Sequence, residues 1–155
     1  MAVRPIPEGY ASLTPYLIVD DAARALDYYK SVFDATELMR MEGPEGTIAH
    51  AEMQIGTSKM MLADEAAAMG FRSPQSLGGS GCGLMLYVED VDSVFERAVT
   101  AGGKAHQPVK DQFYGDRSGT LIDPFGHMWT VATHVEDVAP EEMERRMEAA
   151  RAEAR

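Results

Sequence analysis

The stretch "IAHAEMQIG" places an imidazole and a carboxylate two residues apart within a short apolar segment. Alternate side chains of an extended strand share a face, so His50 and Glu52 are expected about 6.6 Å apart on one side, with Gln54 next to them. This spacing suits a shared proton transfer, with His50 and Glu52 as catalytic acid and base and Gln54 as a ligand-binding group. An exposed strand face with an ordinary polar pair accounts for the same residues equally well.

A second stretch, "DPFGHMWTVATH", has a histidine at each end of a turn and strand. His127 directly follows the turn, where an exposed imidazole is ordinary. His134 lies roughly 13 Å beyond Thr130 at 3.3 Å per residue, at the rim of any site that contains Thr130. The sequence therefore predicts a structural hairpin, turned by Pro124 and Gly126, with Thr130 facing a ligand.

Further candidate ligand-binding residues lie in the loop "QFYGDRSG" and on the strands. An apolar ligand with one acidic group would suit the aromatic rings of Phe113 and Tyr114 and the guanidinium fork of Arg117. A surface Asp116–Arg117 pair beside a turn glycine is the plainer alternative. Strand alternation adds four residues to the predicted lining, although hydrophobic cores use the same types: Tyr16, Met60, Met85 and Tyr87.

Composition limits the classes of partner and compartment. The 155 residues are 45% hydrophobic and 25% charged, which fits one compact domain. The formal net charge of −11 argues against nucleic acid and anionic membranes as partners. Cys82 has no second cysteine to pair with, and "MAVRPIPEGY" lacks the apolar core of a secretory signal, so a cytoplasmic location is expected.

The secondary-structure elements that would position these residues form a sequence repeat with two copies. The first half predicts a strand in "LTPYLIVDD", a helix capped by Asp20 or Asp21, and strands at 36–41, 48–55 and 59–63. At an offset of 69 residues, Leu17 matches Leu86 and Asp21 matches Asp90. The second βαβββ unit continues with strands at 104–108, 118–122 and 127–134.

Two segments lie outside this repeat. Residues 67–81 are rich in glycine, serine and proline, and are predicted to form a mobile surface connection that could act as a lid. Residues 135–155 predict a weakly amphipathic helix. The apolar stripe of this helix is too narrow to stabilise it alone. The helix is therefore expected to pack on its own domain or on a second subunit, and the simplest alternative is a frayed terminus.

The tandem units, the opening "TPYLIVDDAARALDYYKSVF", its repeat "LMLYVEDVDSVFERAVTAGG" and the closing "DPFGHMWTV" resemble the glyoxalase, bleomycin-resistance and extradiol-dioxygenase superfamily, also called vicinal oxygen chelate. Within it, the chain is most similar to the phosphonate-operon-like glyoxalase branch. The resemblance covers residues 12–134 as one domain with modules 12–66 and 82–134. It implies an α+β fold whose tandem βαβββ modules form a curled mixed sheet around a cleft, with helices outside and an extra C-terminal helix. It also implies a homodimer and a small-molecule ligand in the cleft.

Metal enzymes of this superfamily carry His, Gln or Glu at one point on the first and last strand of each module. The resemblance carries these points onto four positions that hold no usual metal ligand: Thr14, Leu62, Gly83 and Thr130. An error of one residue in the strand register would exchange the two faces of a strand. If each assigned position is moved by one residue, Cys82 is the one possible metal ligand among the new positions. The sequence therefore predicts no metal and no cofactor.

These inferences favour a metal-independent binder of a small organic molecule, similar to the bleomycin-resistance branch. The acidic chain would attract cationic ligands over distance. The alternative is an enzyme: a lyase, isomerase or dioxygenase with a displaced metal site, or a metal-free catalyst that uses His50 and Glu52. A scaffold whose C-terminal helix mediates association is a third possibility.

Overall fold

The computed structural model describes residues 3–154, and within them the chain is α+β with two four-stranded mixed sheets. The fold divides into two compact units. The first runs to Gly81 and also includes Pro124–His127, and the second comprises Cys82–Asp123 and continues from Met128. The predicted α+β fold class is confirmed, and the structure shows that each βαβββ repeat forms a sheet of its own.

The first unit contains four strands, one long helix and a short helix. Its elements are β1 (Tyr16–Val19), α1 (Ala22–Phe33), β2 (Thr36–Glu42), β3 (Ile48–Ile55), β4 (Ser58–Asp64) and α2 (Pro74–Leu77). The sheet order is β1-β4-β3-β2, with β1 parallel to β4 and the other pairs antiparallel. The predicted bounds of β3 are those observed, and β2 and β4 extend their predicted ranges by one or two residues.

Helix α1 begins where the carboxylates predict. Asp21 is its N-cap, and its Oδ1 accepts a hydrogen bond of 3.0 Å from the Arg24 backbone N–H. The helix packs one apolar face on the sheet and also buries aromatic rings. The ring of Phe125, which is 1% exposed, meets the rings of Tyr28 and Tyr29 edge to face at about 6 Å between centroids.

The second unit repeats this plan and adds a C-terminal helix. Its elements are β5 (Gly83–Tyr87), α3 (Val91–Thr100), β6 (Lys104–Asp111), β7 (Asp116–Ile122), β8 (Met128–His134) and α4 (Pro140–Glu153). The sheet order is β5-β8-β7-β6, again with the first pair parallel, and Asp90 caps α3 through Ser93 N–H at 3.1 Å. Helix α3 packs on β6, β7 and β8.

The segment predicted to be a mobile connection contains two short helical elements. A 3-10 turn at Ala67–Met69 precedes α2, and Ser73 at the start of α2 is fully buried. The Ser73 N–H donates to Glu65 Oε2 at 2.8 Å, which fixes the helix start. Glu65 therefore anchors this segment to the end of β4.

The C-terminal helix lies on its own unit through charged groups. None of the residues Pro140–Glu153 is buried. Arg146 reaches Glu136 with N–O distances of 2.7 and 2.8 Å, and its Nη1 donates to the Phe113 carbonyl at 3.4 Å. Among residues 3–154, no helix combines the length and apolar composition needed to cross a lipid bilayer.

Candidate functional site

The open face of the first sheet, the face that does not carry α1, displays a mixed row of side chains. Tyr16 pairs with Met61, Met61 with Glu52, and Glu52 with Met39, so one residue from each strand stands in line. The neighbouring residues Leu17, Leu62 and Ala51 point to the packed side and are buried. Strand alternation thus creates one apolar face for α1 and one accessible face.

A cavity of about 750 Å³ lies against this open face. Tyr16, Ile18 and Ala63 form its floor on β1 and β4, and residues of the turn before β3 and of the segment after β4 form its sides. The full lining is Tyr16, Ile18, Pro44, Thr47, Ile48, Ala49, Ala63, Asp64, Glu65, Ala66, Met69 and Phe71. Its volume and mostly apolar lining are typical of a small-molecule site.

The two carboxylates in the cavity wall are held by hydrogen bonds within the unit. Asp64 accepts from the backbone N–H groups of Ala22 and Ile48, each at 2.7 Å. Glu65 accepts from Ser73 N–H and from the Ser76 hydroxyl, and these bonds lower its pKa. Both groups position the wall and keep it negative, which disfavours an anionic ligand.

Next to the cavity, four polar side chains form a continuous chain of hydrogen bonds. Tyr16 Oη lies 2.7 Å from His50 Nδ1, and His50 Nε2 lies 3.3 Å from Glu52 Oε1. The Tyr10 hydroxyl donates to Glu52 Oε2 from the segment before β1. The Lys59 ammonium covers the ring of Tyr10 at 4.6 Å from its centroid.

These hydrogen bonds, together with burial, shift the pKa values of Tyr10, Tyr16 and Glu52. Burial and the hydrogen bond to Glu52 raise the pKa of Tyr10 to about 12. The same hydrogen bond, and then that of His50, lowers the pKa of Glu52. Burial raises the pKa of Tyr16. At neutral pH, both phenols are therefore protonated and Glu52 is ionised.

The structure thus brings together three residues that the sequence singles out, His50, Glu52 and Tyr16. It does not add Gln54, whose side-chain amide donates to the Gly56 carbonyl at 3.0 Å in the β3–β4 turn. The placement predicted for Met60 is wrong: Met60 is 5% exposed and pairs with buried Met53 on the packed side. The residue of β4 that lies level with Tyr16 and Glu52 on the open face is Met61.

On the open face of the second sheet, Met85 and Tyr87 are exposed, and their ligand-binding role stays a prediction. Thr130 shares that face, and its hydroxyl lies 3.0 Å from the Thr120 hydroxyl. Tyr87 donates to Asp116 Oδ2 at 2.8 Å, and this bond raises the pKa of Tyr87. Asp116 is 4% exposed, so it is a buried acceptor and not the surface partner of Arg117 that the plainer alternative expects.

Arg117 is already engaged. It lies between Asp116 and Ser118, so strand alternation turns it to the side of α3, where its Nε and Nη2 bind Asp92 at 2.7 and 2.8 Å. Its Nη1 binds Asp111 at 3.1 Å. The predicted role of Arg117 as a fork for an acidic ligand is not supported by these contacts.

Phe113 and Tyr114 form an edge-to-face pair with centroids 5.3 Å apart in the β6–β7 turn. Both rings are partly exposed. The backbone of this turn is held by α4, because Arg146 donates to the Phe113 carbonyl. Their ligand-binding role stays a prediction.

The two histidines of the hairpin lie in different environments, with His127 buried and His134 exposed. His127 is 9% exposed, and its Nε2 lies 3.0 Å from the Ile18 carbonyl, so the expected surface imidazole is wrong. His134 joins the second unit's network, with Nδ1 at 2.7 Å from Asp116 and Nε2 at 2.9 Å from Asp137. Both contacts raise the pKa of His134.

In both units, the positions that the superfamily resemblance assigns to metal ligands hold side chains that are poor donors for a divalent cation. In the first unit, Leu62 is buried on the packed side, so the relevant open-face residue of β4 is Met61, which pairs with Tyr16, two residues after Thr14. In the second, Gly83 and Thr130 hold the equivalent places. A threonine with a thioether, or with a glycine, does not fit a divalent cation that needs imidazole or carboxylate ligands. Within residues 3–154, no three His, Cys, Asp or Glu side chains are grouped to hold a metal ion.

Sequence reasoning missed Tyr10 and the cavity wall. Tyr10 lies in a segment without periodicity, 42 residues from its partner Glu52, so nothing in its surroundings indicates the contact. Met69 and Phe71 line the cavity from the segment that was predicted to be an irregular connection. Two large exposed apolar residues in a polar, glycine-rich stretch are the signal that could have drawn attention to them.

The chain belongs to the Glyoxalase/Bleomycin resistance protein/Dioxygenase superfamily, whose sequence profile matches residues 10–131. It is 43% identical over 139 residues to an uncharacterized protein of Mycobacterium bovis, a match that covers 88% of this chain and 91% of that protein. An uncharacterized protein of Mycobacterium tuberculosis is similar at the same identity, with 82% of its length covered.

Among solved structures, the fold is similar to that of TioX from Micromonospora sp. ML1, with a TM-score of 0.62 and 28% identity. That match covers 81% of this chain and 99% of TioX. A gene product from Arabidopsis thaliana gives a TM-score of 0.64 at 26% identity and covers 79% and 98% of the two chains. These likenesses agree with the family resemblance inferred from the sequence.

Proposed function

We propose that this protein binds a small, largely apolar organic molecule in the cavity on the open face of its first sheet. The observation that carries the proposal is a cavity of about 750 Å³ whose lining combines aliphatic and aromatic side chains with the Tyr16 phenol. Sites of this size with few polar groups bury most of a small ligand. The family's members resemble this chain in fold, and the cavity supplies the specific support.

The charge of the wall limits the ligand to neutral or cationic molecules. Asp64 and Glu65 line the cavity, and the whole chain has a formal net charge of −11. Both effects oppose an anion at close range and over distance. The engagement of Arg117 by Asp92 and Asp111 removes the group on which an acidic ligand was predicted to depend.

Two related fluorescent probes test the cavity and its charge together. N-phenyl-1-naphthylamine is neutral, and 8-anilinonaphthalene-1-sulfonate adds a sulfonate to the same rings. We expect the neutral probe to bind with one site per chain and the sulfonate to bind much more weakly. Ala49→Trp should abolish binding, because Ala49 is exposed and lines the cavity, so the larger ring fills it.

The matched control is Ala23→Trp, which places the same ring at an exposed position on α1. Equal affinity of the Ala49→Trp and Ala23→Trp variants would contradict the proposed site. We further propose that binding needs no metal, because Thr14, Met61, Gly83 and Thr130 offer no suitable ligand set. Dialysis against EDTA should then leave the affinity for the neutral probe unchanged. If the purified protein contained stoichiometric metal, and EDTA removed both the metal and the probe binding, metal-independent binding would be rejected.

An enzyme that uses His50 and Glu52 is a second candidate, favoured by their 3.3 Å contact beside the cavity. An imidazole held by a carboxylate has the arrangement of a general base with its orienting group. His50→Gln should then remove activity toward a substrate without weakening its binding. Unchanged turnover in that variant would exclude this candidate.

A further inference from the structure

In the row of hydrogen bonds beside the cavity, the Glu52 carboxylate determines which atom of each pair donates the hydrogen. Glu52 receives the Tyr10 hydroxyl on one oxygen and faces His50 Nε2 with the other. An ionised carboxylate is an acceptor with no proton to donate, so His50 Nε2 must carry the hydrogen of this contact. The tautomer of His50 follows from its partner.

A neutral imidazole with its proton on Nε2 leaves Nδ1 as an acceptor. Nδ1 lies 2.7 Å from Tyr16 Oη, so the Tyr16 hydroxyl donates to it. The raised pKa of Tyr16 keeps this phenol protonated at neutral pH. Tyr16 has thereby used its one hydrogen, and its oxygen has lone pairs left for any further contact.

The other polar side chains in the cavity lining are also acceptors. The Thr47 hydroxyl donates to the Pro44 carbonyl at 2.7 Å, so its oxygen too keeps lone pairs. Asp64 and Glu65 receive N–H and O–H groups and have no hydrogen to give as carboxylates. The four polar side chains of the described lining therefore offer acceptors to a bound molecule.

We propose that the cavity selects apolar molecules whose polar group is a hydrogen-bond donor, a hydroxyl or an N–H. Tyr16 Oη accepts this hydrogen, and His50 and Glu52 are positioning residues that orient the Tyr16 hydroxyl away from the ligand. This inference rests on the proposed function, because it concerns the ligand of the same cavity. It goes beyond it by naming the chemical class that the site accepts.

A pair of ligands that differ in one hydrogen-bond donor tests this selection. We expect 2-naphthol to bind about fivefold tighter than 2-methoxynaphthalene at neutral pH, the change that one hydrogen bond is worth. Tyr16→Phe should reduce this ratio, and Glu52→Gln should reduce it less. Glu37→Gln on neighbouring β2 is the matched control, since Glu37 pairs with Lys30 and Arg40 outside the cavity. Equal affinities for the two naphthalenes, or a ratio unaffected by Tyr16→Phe, would overturn the proposal.

Nitrogen NMR of the histidine rings gives a test that needs no ligand. In the neutral state, His50 should show a protonated Nε2 and an unprotonated Nδ1, with its signals assigned from a His50→Gln variant. Glu52→Gln should mix the two tautomers, and Glu37→Gln should not. A dominant Nδ1–H tautomer would overturn the directed chain. If neither naphthalene bound, the proposed function would fail, while the nitrogen shifts would still decide the direction of the chain.

Discussion

The two sheets share one backbone plan and carry different chemistry on equivalent rows. On the first open face, the row across the strands is Tyr16, Met61, Glu52 and Met39. On the second, the matching row is Met85, Thr130, Thr120 and Gln107. The repeat therefore fixes which positions face outward, and the residues placed there decide what each face can do.

Each unit also contains tyrosine, histidine and carboxylate side chains joined by hydrogen bonds, but the two networks lie in different surroundings. In the first unit, Tyr16 and His50 lie beside a cavity. In the second, His134 bridges Asp116 on β7 and Asp137 in the segment that leads to α4. The first network lies beside the cavity of the proposed ligand site, and the second ties the C-terminal segment to its own sheet.

The largest difference in stability between variants of the two units should come from the aromatic core of the first unit. Phe125→Ala removes a buried ring from contact with Tyr28 and Tyr29, and should lower the free energy of unfolding by about 4 kcal/mol. Phe113→Ala in the second unit removes a partly exposed ring and should cost less than about 1 kcal/mol. Urea denaturation compares the two. Similar losses would show that Phe125 is not a core residue.

A stability difference of intermediate size is expected at Ala51 and Gly119, which occupy equivalent strand positions in the two sheets. A Cβ at Gly119 would lie 2.8 Å from Val109 and 2.9 Å from Phe95, so Gly119→Ala should cost about 2 kcal/mol through overpacking. The reverse change, Ala51→Gly, should cost about 1 kcal/mol through backbone freedom. Thermal unfolding of both variants checks the order. A stabilised Gly119→Ala would contradict the close packing of α3 on β7.

How far the sequence predicts this fold can be seen in the same two repeats. Period-two alternation gives β3 with its observed ends, and Asp21 and Asp90 mark the starts of both long helices, because capping is a local interaction. Met60 and Leu62 were placed on the wrong face because β4 has several adjacent apolar residues, so its alternation gives no register.

The site was less accessible to sequence reasoning because its decisive contacts join distant segments. His50 and Glu52 were recognisable from spacing within one strand. Tyr10 and the contact of Arg117 with Asp92 depend on tertiary packing, which no local pattern encodes. His127 shows the same limit, since its burial depends on an acceptor 109 residues away.

The two networks should respond to pH in opposite directions. The raised pKa of His134 means that its bonds stabilise the fold below the unfolded value near 6.5, and that this contribution is lost as pH rises through the folded value. The lowered pKa of Glu52 means that its contribution is present above 4.5 and is lost as pH falls. His134→Gln should therefore lower the melting temperature most in mild acid, and Glu52→Gln most at neutral pH. Parallel pH profiles would contradict this assignment.

The smallest effect should be confined to α4, which has no counterpart in the first unit. Arg146→Met removes the contacts to Glu136, Glu142 and the Phe113 carbonyl while keeping an apolar stem. Hydrogen exchange should become faster in α4, with little change in global stability because the pairs are exposed. Arg151→Met is the control in the same helix. Unchanged exchange in α4 would show that these bonds do not hold it.

The turn at Pro124–His127 belongs to the first unit although it arrives between two strands of the second sheet. The backbone therefore passes from one half to the other more than once, and neither half is a single contiguous stretch of sequence. A fragment cut after Gly81 would encode the whole first sheet and α1 but would lack the Phe125 ring and the His127 imidazole. Truncation after Gly81 would therefore separate the first sheet from part of its own hydrophobic core.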